Sequence, residues 1–333
     1  MPQPSTAVDA PLRLRSAMYW LLAATVPLLL ATAACASSDD AGPATSEEAS
    51  GPVIVATTTI WADVVANVAC DDQADVRPLI PAGADPHGFE LALVDRETMD
   101  SAALIVANGL FLEEAIQDTI ENVEDSGVPI FRFTDHIATI EYFTSDDHDE
   151  SHDPHVWFDP TRVSAALPTL AERLIDDAGL DPATVQACLA AYQSELADLD
   201  SEISGLVEAV PEANRKLVTN HDSLGYFADR YGFEIVGTVI PASSGLAATN
   251  PAHLEALAVQ IEAANVPAIF SESQHSAADA QALASAVTNG NSVEIVTLIT
   301  GTLSEPGSTS EAETETYLGF LVANTRLITR ALS

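Results

Sequence analysis

Basic side chains are what this 333-residue chain most conspicuously lacks. Twelve lysines and arginines stand against 50 aspartates and glutamates, a formal net charge of −38, and Lys216 is the single lysine. Without a clustered basic surface there is no grip on a phosphate backbone, which excludes nucleic-acid binding. Side-chain docking onto anionic lipid is disfavoured for the same reason. The motifs of hydrolysis are missing too, with neither an HExxH pair nor a nucleophile elbow. Cysteine is scarce, at three residues. Apolar residues are not: they make up 47% of the chain and fall in periodic runs that can bury a core, which excludes low-hydrophobicity disorder. The length suits about two domains. The acidity reads as a solvated, salt-tolerant surface, with attraction for cations as the sharper alternative, and by itself it names no function.

Arg13 and Arg15 precede an uncharged stretch, Ala17 to Ala34, with small residues at its end. A basic start, an apolar middle and a small-residue boundary make an export signal, here residues 1–34. The boundary Thr32-Ala33-Ala34-Cys35 resembles a bacterial lipobox, with Thr32 where Leu, Val or Ile is usual. In such signals the cysteine is diacylated and becomes the first mature residue, so Cys35 is the expected lipidation site. A retained transmembrane anchor is the alternative, weakened by Pro27 and by the modest length. Residues 35–51 are small and acidic, and read as a flexible tether between lipid and folded body.

With Cys35 lipidated, Cys70 and Cys188 remain. Outside the cytoplasm an even remainder predicts a disulfide, and two buried free thiols are the other reading. A bridge would close a loop of more than a hundred residues, stabilising the fold by roughly 4–5 kcal/mol.

From Val53 the chain alternates short β-rich runs (53–59, 74–80, 103–107, 128–132) with helical patterns (61–69, 96–102, 112–123). A second set begins at Lys216, with strands at 233–240, 268–271 and 293–299 and helices near 224–231, 251–264, 277–287 and 314–331. That alternation predicts two parallel sheets, each covered by helices. Between the sets, Val185, Leu189, Tyr192, Leu196, Leu199, Ile203, Leu206 and Val210 recur at steps of four and three. Asp181-Pro182 supplies a helix start and Pro211 an end. The spacing also suits a coiled-coil dimer, but the alanines on the other faces favour an intramolecular spine and a monomer. The expected layout is a first α/β lobe over 52–180, a linking helix over 181–211 and a second lobe over 212–333.

The eight histidines differ in their settings. His87 lies in IPAGADPHGFE after a predicted strand, His155 in DPHVWFDP before a capped helix, and His221 in LVTNHDSLGYF where a strand gives way to a helix. The carboxyl edge of an open α/β sheet is where ligands bind. Two of these rings belong to the first half and one to the second, so they can meet only in a cleft between the halves. Three neutral imidazoles suit a borderline-soft divalent ion, above all Zn²⁺. Any one of them alone is as readily a capping or satisfied polar residue. His136, His253 and His275 lack a supporting motif and read as surface or capping residues.

The segments PAGADPHGFE, HDPHVWFDP and NHDSLGYFADRYG, in this order, resemble the zinc- and manganese-binding solute-binding proteins of bacterial ABC importers, the TroA-like or cluster A-I family. The resemblance covers Pro52 to Ser333. It implies two Rossmann-like lobes with parallel sheets, joined by a long rigid linking helix, and a metal site in the inter-lobe cleft. It assigns His87, His155 and His221 as metal ligands. The family's fourth ligand is an acid after the last strand, in a Thr-acid-Ser-Leu pattern. This chain reads Thr300-Gly301-Thr302-Leu303 there, so water, Glu305 or a carboxylate of the acidic loop is left to complete the shell.

The loop 145–153 (SDDHDESHD) adds His148 and His152, candidates for gathering metal in the manner of the family's zinc-binding branch, or simply a solvated loop. Asp85 and Asp222 are candidates for orienting the ligand rings, with helix capping an equal reading for Asp222. Trp157, two residues from His155, is a natural fluorescence reporter. The implied protein is a lipid-anchored receptor on the extracytoplasmic face, not an enzyme, that hands Zn²⁺, with Mn²⁺ less favoured, to a permease and its ATPase. A zinc hydrolase using a three-histidine site and a zinc-storing adhesin without a transporter are the alternatives. One stiff helix also predicts a modest change of shape on metal binding.

Overall fold

The computed structural model describes residues 51–70, 72–143, 152–241, 249–288, 292–307 and 312–333. The export signal, Cys35, most of the tether and His148 lie outside the described residues. Among those described, no helix is long and apolar enough to cross a membrane.

The first half runs β1 (Val53–Ala56), α1 (Thr59–Ala69), β2 (Asp75–Pro78), α2 (Leu93–Asp100), β3 (Leu104–Ala107), α3 (Gln117–Asp125), β4 (Ile130–Arg132) and α4 (Pro160–Asp176). Its strands are all parallel, in the order β2-β1-β3-β4. After α5 (Pro182–Glu208) the second half follows: β5 (Lys216–Thr219), α6 (Gly225–Tyr231), β6 (Glu234–Thr238), α7 (Pro251–Ala264), β7 (Ala268–Glu272), α8 (Ala278–Ala286), β8 (Glu294–Leu298) and α9 (Tyr317–Leu332). Its sheet repeats the plan, β6-β5-β7-β8, again all parallel. The inner strands are continuous apolar runs, as β3 shows with all four of its residues buried, because helices cover both faces of such a sheet.

Local chemistry explains the helix ends. Thr58 caps α1 by accepting the Trp61 N–H, and Asp159 caps α4 by accepting from Thr161 and Arg162, with Pro160 at the first helical position. Pro168 inside α4 lacks the N–H that would bond the carbonyl four residues back. That carbonyl belongs to Ser164, and the Gln193 amide of α5 donates to it at 3.1 Å.

The helix expected over 112–123 starts late. Leu110 and Phe111 take left-handed backbone angles, and a 3-10 turn, Glu114–Ile116, precedes α3. The cause is Glu113, which turns inward and accepts from the Thr57 hydroxyl at 2.6 Å and from the Asn108 and Gly109 N–H groups at 2.7 and 3.3 Å. It is fully buried, and that burial pushes its carboxyl above the usual range against the pull of these hydrogen bonds.

α5 has 27 residues, about 40 Å at 1.5 Å per residue. It packs against α1 and α4 of the first half and α9 of the second. Its buried stripe runs Val185, Leu189, Tyr192, Leu196, Leu199, Ile203, Val207. The expected Leu206 is only half-buried. A straight helix of 3.6 residues per turn drifts against a seven-residue repeat, so the contact line steps to Val207, as befits a spine rather than a supercoiled seam. One apolar core runs from Ile54 through Trp61, Trp157, Leu196 and Phe270 to Leu332, spanning both sheets and the spine. Hydrogen bonds tie the halves as well: Gly83 N–H to Thr302 Oγ1, Leu303 N–H to Thr59 Oγ1, Trp157 Nε1–H to the Thr300 carbonyl, and Tyr317 O–H to the Trp157 carbonyl.

Cys70, which ends α1 in a positive-φ conformation, is joined to Cys188 of α5 by a disulfide, Cα to Cα 6.1 Å. The bridge pins the first half to the spine across 118 residues of sequence. Replacing both cysteines by serine is expected to lower the free energy of unfolding in urea by about 2–5 kcal/mol. An unchanged midpoint would show that the bridge carries no such constraint.

Candidate metal centre

The site grows out of the carboxyl edges of both sheets. His87 lies in the loop after β2, and its N–H bonds Asp85 Oδ1 at 3.0 Å in a tight turn. His155 opens a 3-10 turn, Val156–Phe158, that leads into α4. His221 follows β5, where the strand order of the second sheet reverses, the place where open α/β sheets bind ligands. The three rings are 3%, 2% and 3% exposed, shut off from bulk solvent.

Their Nε2 atoms converge: His87 to His155 is 3.3 Å and His221 to His155 is 3.2 Å. The far side of each of two rings is held by a carboxylate. Asp153 Oδ1 accepts both the His155 ring Nδ1–H, at 2.7 Å, and the His155 backbone N–H, at 2.8 Å. Glu272 Oε1 stands 2.8 Å from His221 Nδ1, with the N–H off the ideal line. Nδ1 protonated toward an ionised carboxylate leaves the Nε2 lone pair facing inward. Nitrogens this close are held either by a ring N–H shared between two of them or by a cation lying among them. A tetrahedron of zinc–nitrogen bonds of about 2.0–2.1 Å has edges of about 3.3–3.4 Å, so the observed spacing fits that ion.

A proton is the competing cation. Burial alone would lower the His221 ring's pKa, but the charge and contact of Glu272, helped by Asp85 and Asp222, hold it above the ordinary histidine range. Glu272, fully buried, is opposed by desolvation and yet pulled down to about 2 by His221 and by the Thr300 hydroxyl. His87 goes the other way: burial first, then the neighbouring imidazoles, keep it well below the ordinary value and therefore neutral. The chamber they line has about 10 Å³ of free space, room for one water-sized sphere and no organic substrate.

The partners of the rings differ from expectation. Asp85 holds the His87 backbone rather than its ring, and the ring-facing acids are Asp153 and Glu272, which sequence reasoning passed over. Asp153 sits two residues before His155, and Glu272 is the last residue of a central parallel strand; those positions are the signal that was there to be read. Glu305 is exposed and outside the chamber lining, because Thr302 and Leu303 are tied to the first half and the chain then runs to the surface. Gly301 does line the chamber, packed so closely that a Cβ there would lie 2.8 Å from Pro86 Cδ. His152 is half-buried and bridges Glu141, apart from the gathered rings. His136 is exposed and stacks on Phe131, and His253 bonds the Thr238 carbonyl. His275, which read as a surface or capping residue, instead lies beside His221, ring centres 5.9 Å apart. The Trp157 ring is 5.3 Å from that of His155.

Two similar α/β halves on one spine, with donors from both meeting around an ion-sized chamber, make a solute receptor for a bare metal ion. The family of ZnuA, zinc-uptake complex component A, periplasmic, matches residues 54–331, and the chain belongs to that family. Zinc-binding protein TroA of Treponema pallidum is 30% identical over 283 residues, 85% of this chain and 89% of that protein. A solved structure of periplasmic TroA matches with a TM-score of 0.76 at 28% identity, covering 85% of this chain and 99% of the other. Manganese-binding lipoprotein MntA of Halalkalibacterium halodurans is 31% identical over 196 residues, 58% of this chain and 62% of that protein. Iron ABC transporter substrate-binding lipoprotein MtsA of Streptococcus pyogenes serotype M1 is 29% identical over 184 residues, 54% of this chain and 59% of that protein. The chain is therefore a metal-binding receptor of ABC metal transport and not an enzyme, in a family whose members differ in the metal they are named for.

With His221 as a metal ligand a proton on its ring would compete with the ion, so metal affinity is expected to fall as pH drops through the raised His221 pKa, by about tenfold per pH unit below it. Glu272→Gln removes the charge that raises that pKa, so the fall moves to lower pH, while affinity at high pH drops about 10–100-fold. Chelator competition across pH measures both. An unshifted profile in Glu272→Gln would assign the dependence to another group.

Proposed function

We propose that this chain is the extracytoplasmic zinc receptor of an ABC importer. The observation that carries the reading is the convergence of the His87, His155 and His221 Nε2 atoms, 3.2–3.3 Å from ring to ring, on a chamber of about 10 Å³. In this reading the three rings are the metal ligands. Neutral nitrogen donors favour Zn²⁺ over the harder Mn²⁺, which prefers carboxylate and water. The relatives named for manganese and iron make this preference a matter of the donors in this chain. Glycine at position 301 offers no carboxylate where the family has its acid, which supports the zinc assignment.

Residues 1–34 are removed on export in this account, and lipidated Cys35 holds the mature protein to the outer face of the membrane, with 35–51 as the tether. The folded body acts as a monomer: a lobe over 52–180, the linking helix over 181–211 and a lobe over 212–333. His148 and His152 in the acidic loop collect ions for the receptor. The ion is enclosed by donors from both lobes, and docking on the permease, driven by its ATPase, draws the lobes apart so that the shell opens. The shared core and the ties through Trp157, Tyr317 and Thr302 favour a small opening.

Competition calorimetry on the mature protein is expected to show one Zn²⁺ per chain, bound more tightly than Mn²⁺, with binding largely lost in His221→Ala. Intact zinc affinity in that variant would refute the cleft site, and Mn²⁺ binding as tight as Zn²⁺ would refute the selectivity. Cys35→Ser is expected to move the protein from the membrane fraction to the soluble one. Its retention at the membrane would mean an anchor other than lipid.

A further inference from the structure

Zinc held by protein side chains alone takes four donors in a tetrahedron, and the three converging rings leave one corner open. The chamber's acids are engaged elsewhere. Glu272 Oε1 takes the Ser223 hydroxyl at 3.1 Å and faces His221 Nδ1 at 2.8 Å, while Oε2 takes the Thr300 hydroxyl at 2.7 Å. Asp85 secures the His87 turn through Oδ1. Gly301 has no donor side chain, and its packing against Pro86 leaves no room to add one without moving the loop that carries His87.

His275 is differently placed. Its N–H bonds the Glu272 carbonyl at 3.2 Å, a tight turn directly after β7 that swings the side chain back over the chamber. The ring lies against His221 at 5.9 Å between centres, inclined at 76°. Its side chain is 16% exposed and lines the same chamber as His87 and His155. Nε2 is 3.9 Å from Glu272 Oε2, too far for a hydrogen bond. Donor atoms of His221, Glu272 and His275 all lie within 4.8 Å of one another.

We propose that His275 is the fourth zinc donor, rotating from beside Glu272 to complete a shell of four imidazoles. The proposal rests on the receptor reading and deepens it. Four neutral nitrogens leave the ion's full charge to be offset by the outer carboxylates Asp153 and Glu272, a donor set suited to zinc and poor for manganese. They also leave no coordinated water to activate, so the bound ion is cargo without chemistry. As the most exposed of the four rings, His275 would be the last donor to close on the ion and the first to release it.

X-ray absorption of the zinc-loaded protein is the direct test: four imidazoles are expected in the wild type and three in His275→Ala. In chelator competition, His275→Ala and His275→Gln should each lose about 10–100-fold in zinc affinity, at least the scale of losing an outer partner. Zinc should also pass to the chelator faster in both. Three imidazoles plus a light atom in the wild type, or unchanged affinity in both variants, overturns the assignment. His87→Ala separates the two levels: if it too binds zinc like the wild type, the receptor site itself is wrong, whereas a loss there with His275 variants unchanged removes only the fourth donor.

Discussion

Everything in the site depends on the enforced nearness of three buried imidazole nitrogens. A buried ring whose Nδ1 is bonded to a carboxylate has a single way to spend its other lone pair, and at His155 that lone pair faces two neighbours at once. One proton can bridge one of those contacts but not both. A divalent ion satisfies all three rings together. A proton shared between two rings answers that crowding in part, and a borderline-soft cation bound by all three would answer it fully. The carboxylates behind the rings sustain this balance, since without Asp153 and Glu272 the rings could turn and satisfy one another.

The scaffold keeps the rings at this spacing, neither collapsing nor spreading. The continuous core, the spine α5 and the Cys70–Cys188 bridge fix the positions from which the two halves present their edges. Pro168 in α4 is a small instance of the same design. The gap it leaves in the helix's hydrogen bonding is filled by Gln193 from α5, so a local defect becomes a weld between neighbouring helices. Trp157 serves in both roles: its ring abuts His155 while its indole N–H and backbone carbonyl reach Thr300 and Tyr317 of the other half.

Most of the fold was legible in the sequence because its signals are local. Strands such as β3 and β7 announce themselves as short apolar runs, and α7 occupies the expected 251–264. The departures occur where a tertiary contact overrides local pattern: Glu113 turning inward delays α3, and the drift of a straight helix replaces Leu206 by Val207. The three central histidines were conspicuous for their place after predicted strands. The carboxylates that Asp153 and Glu272 hold against the rings were not, since their part depends on how the edges face each other. His275 carried no local motif, and only the turn after β7 brings it to the cleft.

The two sheets share one strand order, and the correspondence extends to a detail of their edges. In the first half, Thr57 after β1 reaches a buried glutamate that follows β3, Glu113. In the second, His221 after β5 faces a buried glutamate at the end of β7, Glu272. Topologically these are the same pair, yet one carboxyl is pushed up and the other drawn down to about 2. A hydroxyl partner lets burial govern the acid, whereas an imidazole partner lets charge govern it. The halves are therefore alike as architecture and opposite as electrostatics, one edge tending to neutrality and serving as masonry, the other kept ionised and serving as an electrode for the ion.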